Sequence, residues 1–278
     1  VTGVVFIDLR KAFDTVNLFC SSAEKKLQTY GVHGVEAEWF SSYLHGRSQV
    51  VAVDGIYSDH LPTTIGVPQG CILRPLLFLL YVNDLPDVLD KCHTNIYADD
   101  TELDYPTKAC ETSLMEIAIN SELSNLDTYF IQNKPTSLNV GKCEFMLIGT
   151  KQQLQKCDEV SIKIGDIEVR KVSSAKYLGM TIDENLKWDS HIDKLTKKIS
   201  SKVGLLHRLR KILPKETLIL LYNSIILPHF DYCDVIYGRC SDGKLSTLQK
   251  LQNMAGRILT GSQLRVHRED IFAQLKWL

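Results

Sequence analysis

The pair Asp99-Asp100 follows a short apolar and aromatic run, Ile96-Tyr97-Ala98. Two aspartates break strand pairing, so the stretch predicts the tip of a β-hairpin. In a regular strand, neighbouring side chains point to opposite faces, and only one of the pair could address a given site. A turn relaxes that rule and lets both carboxylates approach one cation, which offsets their mutual repulsion. The plain alternative is a solvated turn. A third carboxylate, Asp8, ends the continuous apolar run Val4-Val5-Phe6-Ile7, which reads as a buried strand. Strand ends hold groups rigidly, so Asp8 is a candidate partner for the pair. Asp14 is a further acid whose other reading is a helix N-cap. Phe13 reads either as core or as the floor of a pocket around Asp8.

Other elements must position these groups. Gly66-Val67-Pro68-Gln69-Gly70-Cys71 forces an unusual backbone path that exposes Gln69 at a loop tip. The apolar helix that follows, residues 76–82, would present its N-terminus to a polyanion or a base. Helices are expected over residues 22–45, with Trp39, Phe40 and Tyr43 as core, and over 113–130, with Leu114, Ile117, Leu123 and Leu126. Asp54-Gly55 signals a hairpin, and residues 161–169 alternate around Gly165-Asp166 as another. Residues 138–148 read as a turn and a strand, and 176–182 as one more strand. From Trp188 the pattern becomes helical, with Ile192, Leu195, Ile199, Val203, Leu206 and Leu209 at spacings of three and four. This shift predicts an α+β domain over 1–184 and an all-helical one over 185–278.

The 278 residues carry 44% hydrophobic and 23% charged side chains, which excludes a disordered chain. Net charge is -1, so the global balance favours no partner. Locally, nine Lys or Arg between Lys187 and Lys215 face only Asp189 and Asp193, a block suited to phosphates or to a solvated helix face. Eight scattered cysteines lack zinc spacing and read as reduced thiols. With no signal peptide and no long apolar span, an intracellular protein of nucleus or cytoplasm is expected, neither secreted nor membrane-bound.

Several stretches, in order, resemble a known family. Residues 6–16, Phe-Ile-Asp-Leu-Arg-Lys-Ala-Phe-Asp-Thr-Val, resemble motif A of reverse transcriptases from non-LTR (LINE-type) retrotransposons. Residues 66–78 are similar to motif B and Tyr97-Ala98-Asp99-Asp100 to motif C. Leu138-Asn139 with Lys142 resembles motif D, and Tyr177-Leu178-Gly179 motif E. A lone Tyr-x-Asp-Asp would be weak, but five motifs in order are specific. The resemblance runs essentially end to end.

What it implies is a polymerase palm, an antiparallel sheet with packed helices, followed by a helical thumb. The implied activity is two-metal nucleotidyl transfer from a dNTP to a primer 3′-hydroxyl. Asp8, Asp99 and Asp100 would hold two Mg²⁺ ions, with Mn²⁺ as the substitute. Lys142 would be a general acid for pyrophosphate. Leu9, Phe13 and Gln69 would contact the nucleotide, with Phe13 excluding a 2′-hydroxyl. Tyr177, Gly179, Lys194, Lys197, Lys198 and Lys202 would contact the RNA template and DNA primer, largely through phosphates. Departures from the pattern are Cys71 for Ser, Cys143 for Thr, and Arg74 for Gly, where a bulky residue is expected to strain the backbone. The chain starts at motif A, so a truncated and inactive copy lacking fingers is one expectation. A non-catalytic nucleic-acid-binding remnant is the alternative function. An RNA-templated RNA polymerase is disfavoured by Phe13.

Overall fold

The computed structural model describes residues 1–15, 26–66, 70–133, 138–263 and 265–277. Two compact units divide the chain, Val1–Ala175 and Lys176–Leu278.

The first unit is built on strand β1 (Thr2–Ile7), helix α1 (Gly34–Leu44) and two short ribbons, β2 (Ser48–Gln49) paired with β5 (Leu61–Pro62) and β3 (Ala52–Val53) paired with β4 (Ile56–Tyr57). Asp54 and Gly55 both take positive φ between β3 and β4, the primed turn that the Asp-Gly signal implies. Helix α2 (Arg74–Val82) leads to the hairpin β6 (His93–Tyr97) and β7 (Asp100–Pro106). Helix α3 (Thr112–Asn133), β8 (Glu144–Ile148), helix α4 (Lys151–Leu154) and the small strands β9 (Lys163–Ile164), β10 (Ile167–Glu168) and β11 (Arg170–Lys171) complete it. The main sheet has the order β11-β8-β1-β7-β6, antiparallel except where β11 joins β8.

β1 lies inside the sheet, which is why its sequence is a continuous apolar run. Phe145, Val5 and Leu103 form one cross-strand row, each at most 1% exposed. Gly3 lets helix α3 lie against β1, since a Cβ there would meet Met115 Sδ at 2.4 Å. Met115, Ile119, Leu123 and Leu126 of α3 enter the same core. Leu114 and Ile117, expected inside, are exposed, because the helix turns its other apolar stripe inward. Trp39, also expected in the core, is 52% exposed and stacks on Tyr43.

The second unit opens within the hairpin β12 (Ser174–Tyr177) and β13 (Met180–Asp183). The single strand expected over 176–182 is therefore two, because Leu178 and Gly179 turn the chain at φ 44 and 82. The division falls at 175 rather than 184 because β13 belongs with helix α5 (Asp189–Leu209): the Thr181 N–H donates to His191 Nδ1 at 3.3 Å and Lys194 Nζ to Thr181 Oγ1 at 3.1 Å. The Asp183 carboxylate accepts the N–H groups of Asn185, Lys187 and Trp188 and fixes the turn into α5. Helix α6 (Lys215–Leu221), a π-turn over Tyr222–Ile226, α7 (Leu227–Asp231), α8 (Asp234–Tyr237), α9 (Asp242–Thr260) and α10 (Arg268–Leu275) follow. The predicted stripe Ile192, Leu195, Ile199, Val203 and Leu206 is buried, in one core with Leu248, Leu251, Ala255 and Leu259 of α9. No described helix is long and apolar enough to cross a membrane.

Candidate active site

β1 and β7 pair with Ile7 opposite Thr101 and Phe6 opposite Glu102. Ile7 opposite Thr101 is the last pair, and Asp8 and Asp100 are the residues next to it on either strand. β6 and β7 close with Tyr97 opposite Asp100, so the hairpin loop is Ala98-Asp99 alone. Ala98 sits at φ 54, a left-handed geometry that costs a residue with a Cβ about 1–2 kcal/mol. Asp99 is thus in the turn, whereas Asp100 is the first residue of β7. Burial first, then the charges of Asp99 and Asp8, raise the Asp100 carboxyl above its ordinary value.

Asp8 is held in place. The Asn139 backbone N–H donates to the Asp8 carbonyl at 2.8 Å, and Asn139 Nδ2 donates to Asp8 Oδ2 at 2.8 Å. A bridge between Leu9 and Leu138 delivers this turn to the end of β1. The Lys142 ammonium stands 3.9 Å from the same carboxylate oxygen and is 70% exposed.

Asp8, Asp99, Asn139 and Lys142 border a cleft of about 630 Å³ in the first unit, whose walls also include Leu9, Phe13 and Arg74. Asp100 does not line it. The half-buried Phe13 ring lies 4.4 Å from that of Phe78 and 5.0 Å from the Arg74 guanidinium. Arg74 donates to Asp14 Oδ1 at 2.9 Å. The strain expected of Arg74 is absent: it is the first residue of α2, is not among the residues of positive φ, and needs no glycine. Glycine is needed at Gly66, with φ 84, where a Cβ would meet the Asp14 carbonyl at 2.7 Å. Gln69 lies outside the described residues.

In the second unit, Lys176, Gly179, His191, Lys194, Lys198 and His229 are among the residues around a cleft of about 550 Å³. Among the described residues lining it there is no carboxylate. Burial and the neighbouring lysines, Lys194 for His191 and Lys202 with Lys198 for His229, lower both imidazoles. The four expected lysines separate. Lys194 and Lys198 line the cleft, and Lys197 is exposed but does not. Lys202 is half-buried and donates to the Ile225 carbonyl of the π-turn at 2.9 Å. Tyr177 is half-buried and is not in this wall.

The family model of reverse transcriptase (RNA-dependent DNA polymerase) matches residues 1–182, which include the first unit and every group of its cleft. The chain belongs to this family. An RNA-directed DNA polymerase from the mobile element jockey of Drosophila melanogaster is 28% identical over 98% of the chain. The probable RNA-directed DNA polymerase from transposon X-element of the same species is 25% identical over 98%. The jockey polymerase of Drosophila funebris is 25% identical over 99%. The chain spans 30% of the length of each of these curated relatives.

Reverse transcriptases as a family work with divalent metals, and the donor set here suits one. Among the described residues, no group of three His, Cys, Asp or Glu forms a ready-made cage. Mg²⁺ does not need such a cage, because it is commonly held by one or two carboxylates plus substrate phosphates and waters. Burial is the first cause that raises Asp100, and a bound cation would offset the second, the charges of Asp99 and Asp8. Sequence reasoning gave no role to Asn139 or to the Arg74–Asp14 pair. Asn139 stood within the motif D match, and a cation facing an acid across 60 positions leaves no local signal.

Proposed function

We propose that this chain carries the catalytic carboxylates and a nucleic-acid-binding helical unit of a non-LTR retrotransposon's RNA-directed DNA polymerase. The reaction joins the α-phosphate of a dNTP to a primer 3′-hydroxyl on an RNA template and expels pyrophosphate. What carries this reading is the cleft of the first unit, where Asp8 at the end of β1 and Asp99 in the β6–β7 turn line one wall set with Lys142, and Asp100 opens β7 next to them.

Asp8, Asp99 and Asp100 would hold two Mg²⁺ ions, or Mn²⁺, which supply activation of the hydroxyl and neutralisation of the leaving group's charge. Asn139 orients the Asp8 carboxylate, leaving its other oxygen for a ligand. Lys142, 70% exposed and 3.9 Å from Asp8, would offer its ammonium proton to pyrophosphate. Leu9 and Phe13 shape the nucleotide's seat, and the Phe13 ring excludes a 2′-hydroxyl by contact. Gln69 would face the nascent pair. Gly179, Tyr177 and the exposed lysines of α5, Lys194, Lys197 and Lys198, meet the phosphates of primer and template, while Lys202, half-buried against the π-turn, contributes less. The palm and thumb then correspond to the two units. The seven described cysteines are free thiols, as suits action in the nucleus or cytoplasm.

Primer extension on poly(rA)/oligo(dT) with dTTP tests this, using the chain alone and joined to a fingers segment. Mg²⁺-dependent incorporation is expected. Tight primer–template binding without incorporation in either form would favour the non-catalytic, nucleic-acid-binding alternative, which the carboxylate-free cleft around Lys194 and Lys198 also suits.

A further inference from the structure

Phe13 does not hold its own position. It lies within a tight turn, Arg10 to Asp14, in which the next residue, Asp14, is gripped twice. Gly66 packs against the Asp14 backbone so closely that no Cβ fits, and Arg74 grips the Asp14 carboxylate at 2.9 Å. The same guanidinium lies 5.0 Å from the Phe13 ring centroid, within range of a cation–π contact. Its side chain is only 19% exposed, so it is a wall component and not a free surface cation. The ring's further support is Phe78, on the helix that Arg74 begins.

We propose that Arg74 is a specificity-positioning residue: paired with Asp14, it fixes the Phe13 ring in the cleft and thereby sets the discrimination between deoxy- and ribonucleotides. The inference rests on the reading of Phe13 as the group that excludes a 2′-hydroxyl. Exclusion by contact needs a ring that cannot yield. An aromatic side chain has only two soft torsions, and a salt-bridged guanidinium against it restricts both the ring and the turn that carries it. A sub-ångström relaxation would admit an added oxygen. Lysine could keep the ion pair, but it has no planar face to lay against the ring.

The test compares the parent with Arg74→Ala, Arg74→Lys, Asp14→Asn, Phe13→Ala and the Phe13→Ala/Arg74→Ala double variant. The readout is the ratio of kcat/KM for dTTP to that for UTP. Equilibrium binding of dTTP and UTP, with Ca²⁺ replacing Mg²⁺, gives a second ratio free of turnover. Phe13→Ala should lower selectivity about tenfold or more and Arg74→Ala about threefold or more, with Asp14→Asn and Arg74→Lys between Arg74→Ala and the parent. The double variant should be no less selective than Phe13→Ala alone, since Arg74 acts only through the ring. A merely structural Arg74 would lower thermal stability and kcat for both nucleotides and leave the ratio unchanged. An unchanged ratio in the Arg74 and Asp14 variants, with Phe13→Ala still losing selectivity, overturns the inference and spares the reading of Phe13. Multiplying effects in the double variant overturn it as well. A Phe13→Ala ratio equal to the parent's removes the reading itself, and the inference with it.

Discussion

Replacing Lys176, Lys194 and Lys198 together with Gln tests whether the carboxylate-free cleft of the second unit binds a nucleic-acid backbone. Each phosphate contact to a duplex contributes about 0.9 to the slope of log affinity against log salt. Three lost contacts therefore flatten the slope by about 2.7. Between 50 and 200 mM salt the parent should lose about 40-fold more affinity than the triple variant. Fluorescence anisotropy on a labelled primer–template, across a salt series, reads this directly. The loss should be alike for unrelated sequences, because phosphates carry no sequence information. The control is Lys202→Gln: its ammonium already serves the Ile225 carbonyl, so the slope should move little, while stability falls by about 1–3 kcal/mol. A triple variant with the parent's slope, or a Lys202 variant that flattens it as much, would refute this reasoning.

Three further outcomes follow from packing and charge. Leu103→Ala, in the fully buried row with Val5 and Phe145, should cost about 2–5 kcal/mol in denaturant unfolding; a loss below 1 kcal/mol would deny that row its place in the core. Gly66→Ala should cost a few kcal/mol, since it combines φ 84 with a Cβ 2.7 Å from the Asp14 carbonyl, and a neutral result would mean the two loops do not touch. Glu122 is fully buried, and its carboxyl is raised chiefly by burial and further by Asp90, against the pull of nearby backbone N–H groups. A raised folded-state value gives stability that is complete below the unfolded value and is lost as pH rises through the folded one. Glu122→Gln should therefore stabilise by about 1–3 kcal/mol at pH 7 and by less as pH falls toward 4, and an equal effect at both pH values would contradict the assignment.

The chemistry-bearing residues were more legible than the surfaces around them. Asp8 could be placed because an apolar run stops at it, and the Asp99 turn because carboxylates interrupt a strand. Their meeting depended on a register across 91 positions, which the motif order supplied and local pattern could not. The helix over Thr112–Asn133 shows the limit of periodicity. It carries two apolar stripes, and packing against the sheet, with Met115 and Ile119 over Gly3, leaves Leu114 and Ile117 outside. Tyr177-Leu178-Gly179 hid a turn inside an apparent strand, since a glycine following an apolar residue is also a common strand ending. Lys202 looked like its neighbours in sequence. Its different work follows from the π-turn over Tyr222–Ile226, twenty positions and more later, whose Ile225 carbonyl accepts its ammonium. Arg74 looked like a misfit because its partner Asp14 is remote in sequence.

The central claim is that Asp8, Asp99 and Asp100 act together as the catalytic carboxylates. Asp99→Asn tests it most directly, because Asp99 is exposed in the turn and the change alters charge with almost no change in shape. In a form that extends poly(rA)/oligo(dT), the variant should lose all measurable incorporation while binding the same primer–template with affinity within about twofold of the parent, since the lysine contacts are untouched. Incorporation within about tenfold of the parent would contradict the account.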